Sequence, residues 1–377
     1  LAPMLVDLLP NKEKISAEIS KKIGGDFEAR TIDLLFFPRP RIKVHQGRIS
    51  IPDKLSGTFG SVTVYPKFLQ LLIGKVEVAR LHVETPEVRM ALPGKPQERK
   101  EGLKALSLKT IEEKIAPFLV QAVSKAPGLA IAVEKGKLHL FGEGPSRFQF
   151  HDIRAHIVAG LERVTVEISC GSDIWGSLSF EGWASPRDFR SQGLLVLTRL
   201  LVQKLSDDLL PVGSLRIEDA QTDLTLRFRV NGPKVFQMQM QGSIPNLTFR
   251  RGNEVRIIKG VHFKGTLDRK ESKDTFSLTE LNVSYPSLST SGRLSIDRRS
   301  PLASLEINSK GIDVAAFRET VLFFGEKVPL PQPLFEILRE GKIPRMTLEA
   351  RSPSIEELGK EKNLTIRGSI LGGKVFV

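Results

Sequence analysis

Apolar and polar residues alternate one by one through most of this chain, and that period of two constrains the fold more than any other feature. It is visible in Ile42 and Val44, Ile49 and Ile51, Val62 and Val64, Val76 and Val78, Leu81 and Val83, and Val88 and Met90. It returns in Val164, Val166 and Ile168, in Leu224, Leu226 and Phe228, and in Leu294 and Ile296. Alternate residues share a face in a strand, whereas a helix needs a spacing of three and four. The expected fold class is mainly β: an elongated antiparallel β-sheet bent lengthwise into an open apolar groove, with an N-terminal helix and a few inserted helices. The bend is expected because a long meander must bury one face, and the helical segments are too few to cover it.

The helical exceptions are local. "NKEKISAEISKKIG", residues 11 to 24, repeats Ile15, Ile19 and Ile23 on one face, with Asn11 placed to cap it and Gly24 to end it. A charged linker at 93 to 106 leads to a predicted helix over 107 to 125, where Thr110 and Glu113 resemble a capping box and Pro117 introduces a bend. Further helices are predicted near 186–210, 313–324 and 332–341. These signals divide the chain into an N-terminal helix-plus-sheet module (1–95), a linker and helical insertion (96–128), and a repetitive β-meander (129–377). Within the last, "QGSI" at Gly242, "KGTL" at Gly265, "SGRL" at Gly292 and "RGSI" at Gly368 form a weak repeat, as expected of a meander that grows by hairpins.

The 377 residues carry a formal charge of +13, which points to an anionic partner or to a solvated basic face. Lys and Arg are spread in ones and twos at the polar positions of the strands, which favours the second reading. Phe accounts for 21 residues against 2 Trp and 2 Tyr, and most lie in the apolar phase, unlike the stacking aromatics of single-strand binders. Nucleic acid is therefore not an expected partner. No apolar run reaches the roughly 18 residues of a bilayer-spanning helix. "LAPMLVDLLP" reads as the apolar tail of an upstream signal or membrane anchor, and "LTIRGSILGGKVFV" stops within a strand pattern.

Reaction chemistry finds no purchase. The six histidines lack metal-ligand spacing, and Cys170, at the end of the apolar series from Val164, reads as an inert buried thiol. "FGEGPSR" has Arg147 where a dinucleotide fingerprint needs its third glycine, and neither a Walker loop nor a GxSxG elbow is present. The expectation is a non-enzyme without cofactor or metal.

Three phrases carry a family resemblance: "ISAEISKKIGG", "FFPRPRIKV" and "FLQLLIGKVEVARLHVETPEVRMAL", with Phe37-Pro38, Leu71-Leu72-x-Gly74 and Pro86 at the telling places. Residues 11 to 92 resemble the N-terminal region of the bacterial AsmA-like family, which includes TamB-related proteins. "SGRLSID" and "LREGKIPRMTLEA" are similar to the repetitive body of larger members. The resemblance implies a periplasmic body shaped as a bent β-groove, the β-taco of chorein-like bridges, tethered to the inner membrane by an N-terminal helix outside this chain. It implies phospholipids as cargo and a role in outer-membrane biogenesis.

The residues agree with that implication, because an open apolar groove buries acyl chains at about 0.8 kcal/mol per CH₂ and leaves the headgroup wet. The expected lining is the apolar phase named in the first paragraph, from Val62 to Met90 and in the three later series; for each residue the alternative is ordinary core packing. Arg39, Arg41 and Arg48, beside the Phe36-Phe37-Pro38 corner, are expected at a membrane-proximal end facing anionic headgroups. The alternative function is a periplasmic scaffold that assists outer-membrane protein assembly by strand pairing at open sheet edges, with an outer-membrane or periplasmic protein as partner.

Overall fold

The computed structural model describes residues 5–7, 12–52, 55–73, 77–91, 127–141, 146–185, 187–204, 215–232, 234–300, 302–324 and 338–375. They fall into two units, Leu1–Gly193 and Leu194–Val377, each mainly β.

In the first unit, β1 (Leu5–Asp7) is followed by α1 (Lys12–Ile23), β2 (Asp26–Leu35), β3 (Arg41–Ile51) and β4 (Leu55–Pro66). Each of these strands pairs antiparallel with the next. The helix ends as its sequence directs: Gly24 adopts φ +67°, and the amides of Gly24 and Gly25 both donate to the Ser20 carbonyl. The Ser20 hydroxyl then accepts the Phe27 amide at 2.9 Å, which fastens the helix to the start of β2. Ile19 rests on a core of Phe27, Ala29, Ile32, Val44 and Phe59.

After α2 (Phe68–Leu72), β5 (Val78–Glu84) and β6 (Glu87–Ala91) lie end to end along β4. β7 (Ala130–Phe141) joins both of them in parallel, Leu81 opposite Ile131 and Val88 opposite Leu138. The sheet is therefore mixed where an antiparallel one was expected. A parallel neighbour requires the chain to return to the same end of the sheet, and the long segment between Ala91 and Ala130 supplies that return. The linker and helix predicted over 93 to 125 lie outside the described residues. β8 (Ser146–Ala159), β9 (Val164–Ser172) and β10 (Ser177–Ser185) complete the unit as an antiparallel meander.

The helix predicted near 186–210 is corrected over 187–201 to a turn and a strand, β11 (Arg190–Leu201); residues 202–204 are helical, and 186 and 205–210 lie outside the described residues. Leu194 to Leu197 with Leu200 and Leu201 form a nearly unbroken apolar run, and such a run suits a helix or a strand covered on both faces. Leu197 and Leu200 are both buried although three residues apart, and Arg199 between them takes φ 51°, so a slip in the strand's phase, and not a helical period, spaces them.

The second unit is an antiparallel meander of β12 (Leu215–Asn231), β13 (Val235–Arg251), β14 (Glu254–Lys270), β15 (Lys273–Val283), β16 (Leu288–Asp297) and β17 (Leu302–Asp313). The predicted helix at 313–324 is present as α3 (Val314–Phe324). The helix predicted near 332–341 is contradicted from Leu338 onward, where β18 (Leu338–Ser352) begins; 332–337 lie outside the described residues. Its "LFEIL" pattern is short enough to suit either element. β18 pairs with β17 on one side and with β19 (Leu364–Gly368) and β20 (Leu371–Val375) on the other.

Candidate functional site

Alternation alone would send the apolar residues of a long strand to one face only while the period stays in phase, and in the first unit the phase slips. Ile42 and Val44 are followed by Ile49 and Ile51, Leu81 and Val83 by Val88 and Met90, and Ile131 and Val133 by Leu138 and Leu140. The structure shows what compensates. Gln46, Thr85 and Lys135 have φ of 46°, 46° and 54°, and each directly follows one residue of a single paired row, His45 opposite Ser61, Ser61 opposite Glu84, and Glu84 opposite Glu134. On β8 the left-handed residue is Asp152 (φ 52°), next to Ile153, which is opposite Gly136, and there the pairing to β9 takes up one extra residue.

A left-handed residue inside a strand inverts the pleat and kinks the chain. Ile32 and Val44 therefore pack in one cluster with Phe27, Ala29 and Phe59 from the other side of the row. Likewise the position of a Gly136 Cβ would be met by Val133 and Ile153 together, so the residues before and after Lys135 share a face. One apolar face thus runs unbroken from β2 to β10.

The predicted lining residues lie on it in register. Val64 is opposite Leu81, Val62 opposite Val83, and Val78 opposite Pro66. Val88 is opposite Gly57 and Met90 opposite Leu55, while Val166 faces Gly182 and Ile168 faces Phe180. Their coverage differs. Val62 and Val83 pack against the core beneath α1, and Val164 is buried, so ordinary packing accounts for these three. Val64, Val78, Leu81, Val88, Val166 and Ile168 are half-buried, and Met90 is 39% exposed. Val76 lies outside the described residues.

The second unit repeats the device. Gly260 (φ 62°) and Gly311 (φ 69°) sit inside β14 and β17, each at a break in the pairing: Val261 is opposite Ile244 and Lys259 opposite Asn246, with Pro245 between, and Ile312 is opposite Ile343 and Lys310 opposite Arg345, with Pro344 between. Leu224, Leu226 and Phe228 are matched by Gly242, Met240 and Met238 on β13. Leu294 lies between Phe276 and Leu305, and Ile296 beside Ala303. The repeat glycines acquire a meaning: Met240, Gly265, Leu278, Gly292 and Ile307 form one row across five strands, large and absent side chains in turn. This row went unread in the sequence because Gly242 and Gly265 fall on consecutive strands, Gly265 and Gly292 on alternate ones. On this face, beside Leu267 and Phe276, Arg269 donates to both oxygens of Asp274 at 2.7 and 3.2 Å. At the other end α3 covers the face through Val314, Val321 and Phe317, and Phe324 meets Phe249 edge to face at 4.9 Å between centroids.

The opposite face is polar. In the first unit His45 lies 3.3 Å from Asp33, His82 3.3 Å from Glu134 and His139 3.6 Å from Glu87. Ser61 donates a 2.6 Å hydrogen bond to Glu84. That bond, with the Lys43, His82 and His45 charges, holds the Glu84 carboxyl below its ordinary value against the opposing effect of burial. Burial pushes the Cys170 thiol up, with a weaker contrary pull from Trp175. Among the described residues no group of three His, Cys, Asp or Glu side chains is arranged to hold a metal ion. No helix among them is long and apolar enough to cross a membrane.

Arg39 and Arg41 stand together at the β2–β3 corner, Arg41 opposite Leu35. Arg48 is not with them: it lies seven residues farther along β3, roughly 20 Å at about 3.3 Å per residue, opposite Thr58. No family model matches the chain, and no curated protein matches it.

Proposed function

We propose that this chain is a lipid-binding groove protein that conducts phospholipids between the inner and outer membranes from the periplasm, as its resemblance to the AsmA-like family implies. The observation that carries the reading is the row of left-handed residues through Gln46, Thr85, Lys135 and Asp152. These residues bend the sheet at nearby levels while the paired apolar residues stay on one face, and a sheet bent along such a line would form a trough. A core would be covered, yet beyond α1 this face is lined by half-buried Leu81, Val88, Val166 and Ile168. Acyl chains are the occupant whose burial repays that exposure, at about 0.8 kcal/mol per CH₂. The charged side chains on the reverse of the strands keep the outside wet.

The test is phospholipid transfer between vesicles by the purified chain and by Val166→Glu. Transfer by the native chain that falls at least tenfold in the variant, with the thermal transition preserved, is the expected result. A variant that unfolds would place Val166 in a closed core instead, and a native chain with no transfer would end the proposal.

A further inference from the structure

One corner of the first unit breaks the rule that large apolar side chains face the sheet's apolar side. Phe37 is 72% exposed, Leu69 76% and Ile73 66%, with Phe36 and Phe68 beside them at lesser exposure. They sit on two adjacent turns, the β2–β3 corner and α2 with the residue after it. The turns are neighbours because β3 and β4 pair with Ile42 opposite Val64. Between them opens a cleft of about 640 Å³, walled by Pro38, Arg39, Tyr65, Pro66, Phe68 and Arg80. Among the described residues no acidic side chain lines it. Lys67 at its floor is held by Glu77 at 3.0 Å and by the Pro127 carbonyl at 2.8 Å, but among the described residues neither Arg39 nor Arg80 has an ion-pair partner.

The geometry points to a docking site for an anionic bilayer surface at this corner, with Phe37, Phe68 and Leu69 inserted among the acyl chains and Arg39 and Arg80 against lipid phosphates. Two features select a bilayer over a protein. The apolar side chains are more than half exposed on two turns, so they are placed to insert into a fluid. The unpaired cations flank them at the level where headgroups lie above the hydrocarbon. Solvent exposure of three large side chains is costly in water and favourable at that interface.

This inference stands apart from the groove, because it concerns attachment and uses none of the lining residues. The test is flotation of the full chain with phosphatidylcholine vesicles, with and without phosphatidylglycerol. The native chain should float with the anionic vesicles and less with the neutral ones. Phe37→Ser with Phe68→Ser should lose at least tenfold in binding, and Arg39→Glu with Arg80→Glu should lose the anionic preference. Val166→Glu should float as the native chain does, which separates failure of docking from failure of the groove. Phe37→Trp should show a blue shift of its added emission on anionic vesicles. The site is overturned if the corner variants float unchanged, if the Phe37→Trp emission does not move, or if inorganic phosphate alone abolishes flotation. It is also overturned if the serine variant loses flotation only by converting a dimer to a monomer, which would make the patch a contact between copies.

Discussion

Gly242 and Phe263 face each other across β13 and β14, and the phenyl ring occupies the place a side chain at 242 would take. A Cβ there would lie 2.6 Å from Phe263 Cζ and 2.9 Å from the Asp223 carbonyl oxygen. Large side chains leaning over glycines are how the apolar face fills its rows. Gly242→Val should cost about 1–3 kcal/mol by overpacking, read by urea unfolding. Restoring room with Phe263→Leu should recover part of that loss, because the two sites share one space.

The left-handed positions separate backbone strain from crowding. A Cβ at Gly311 would meet nothing within 4 Å, so Gly311→Ala should cost only the conformational penalty of about 1–2 kcal/mol. Gly260→Ala should cost more, because its Cβ would also run 2.8 Å from Ser284 Cβ. Lys135 already bears the penalty at φ 54°, so Lys135→Gly should be neutral or stabilising by up to about 1 kcal/mol in the same measurement.

Ser61 and Glu84 make stability depend on acid. The Glu84 carboxyl is held below its ordinary value, so its contribution is complete above about pH 4.3, the unfolded value, and is lost as pH falls through the lower folded value. Ser61→Ala removes the largest cause of the depression. The stability gap between native and variant should be constant near neutrality and narrow below about pH 4, followed by denaturant unfolding across pH; a gap that widens in acid would refute the assignment.

Covered and uncovered parts of the apolar face should answer truncation differently. Ile32, 1% exposed beneath α1, should lose about 2–5 kcal/mol as Ile32→Ala. Ile168, half-buried, should lose about 1 kcal/mol as Ile168→Ala. Equal losses would mean that both sit in a closed core.

Much of this was written in the alternation. The strands, α1 with its Gly24 terminus, and α3 follow from local period and capping, and the paired members of the apolar face follow from phase. The slip between Val83 and Val88 was visible too, but its meaning was not, because a left-handed Thr85 announces itself in no residue type. β7 joined β5 in parallel through a contact far apart in sequence, which local pattern cannot carry. Leu194 to Leu201 misled because the left-handed Arg199 shifts the phase between Leu197 and Leu200, and so short an apolar run does not reveal its period. The exposed Phe37 and Phe68 looked like corner packing, since the sequence marks an apolar residue but not the side on which water stands.

The account stands or falls on whether the apolar face holds lipid. The direct measurement is native mass spectrometry of the chain purified without detergent, with organic extraction of the same sample. The account predicts adducts of phospholipid mass that extraction recovers, and that Val166→Glu or Ile168→Glu, folded by circular dichroism, loses. A native chain that carries no phospholipid and accepts none from vesicles would contradict it.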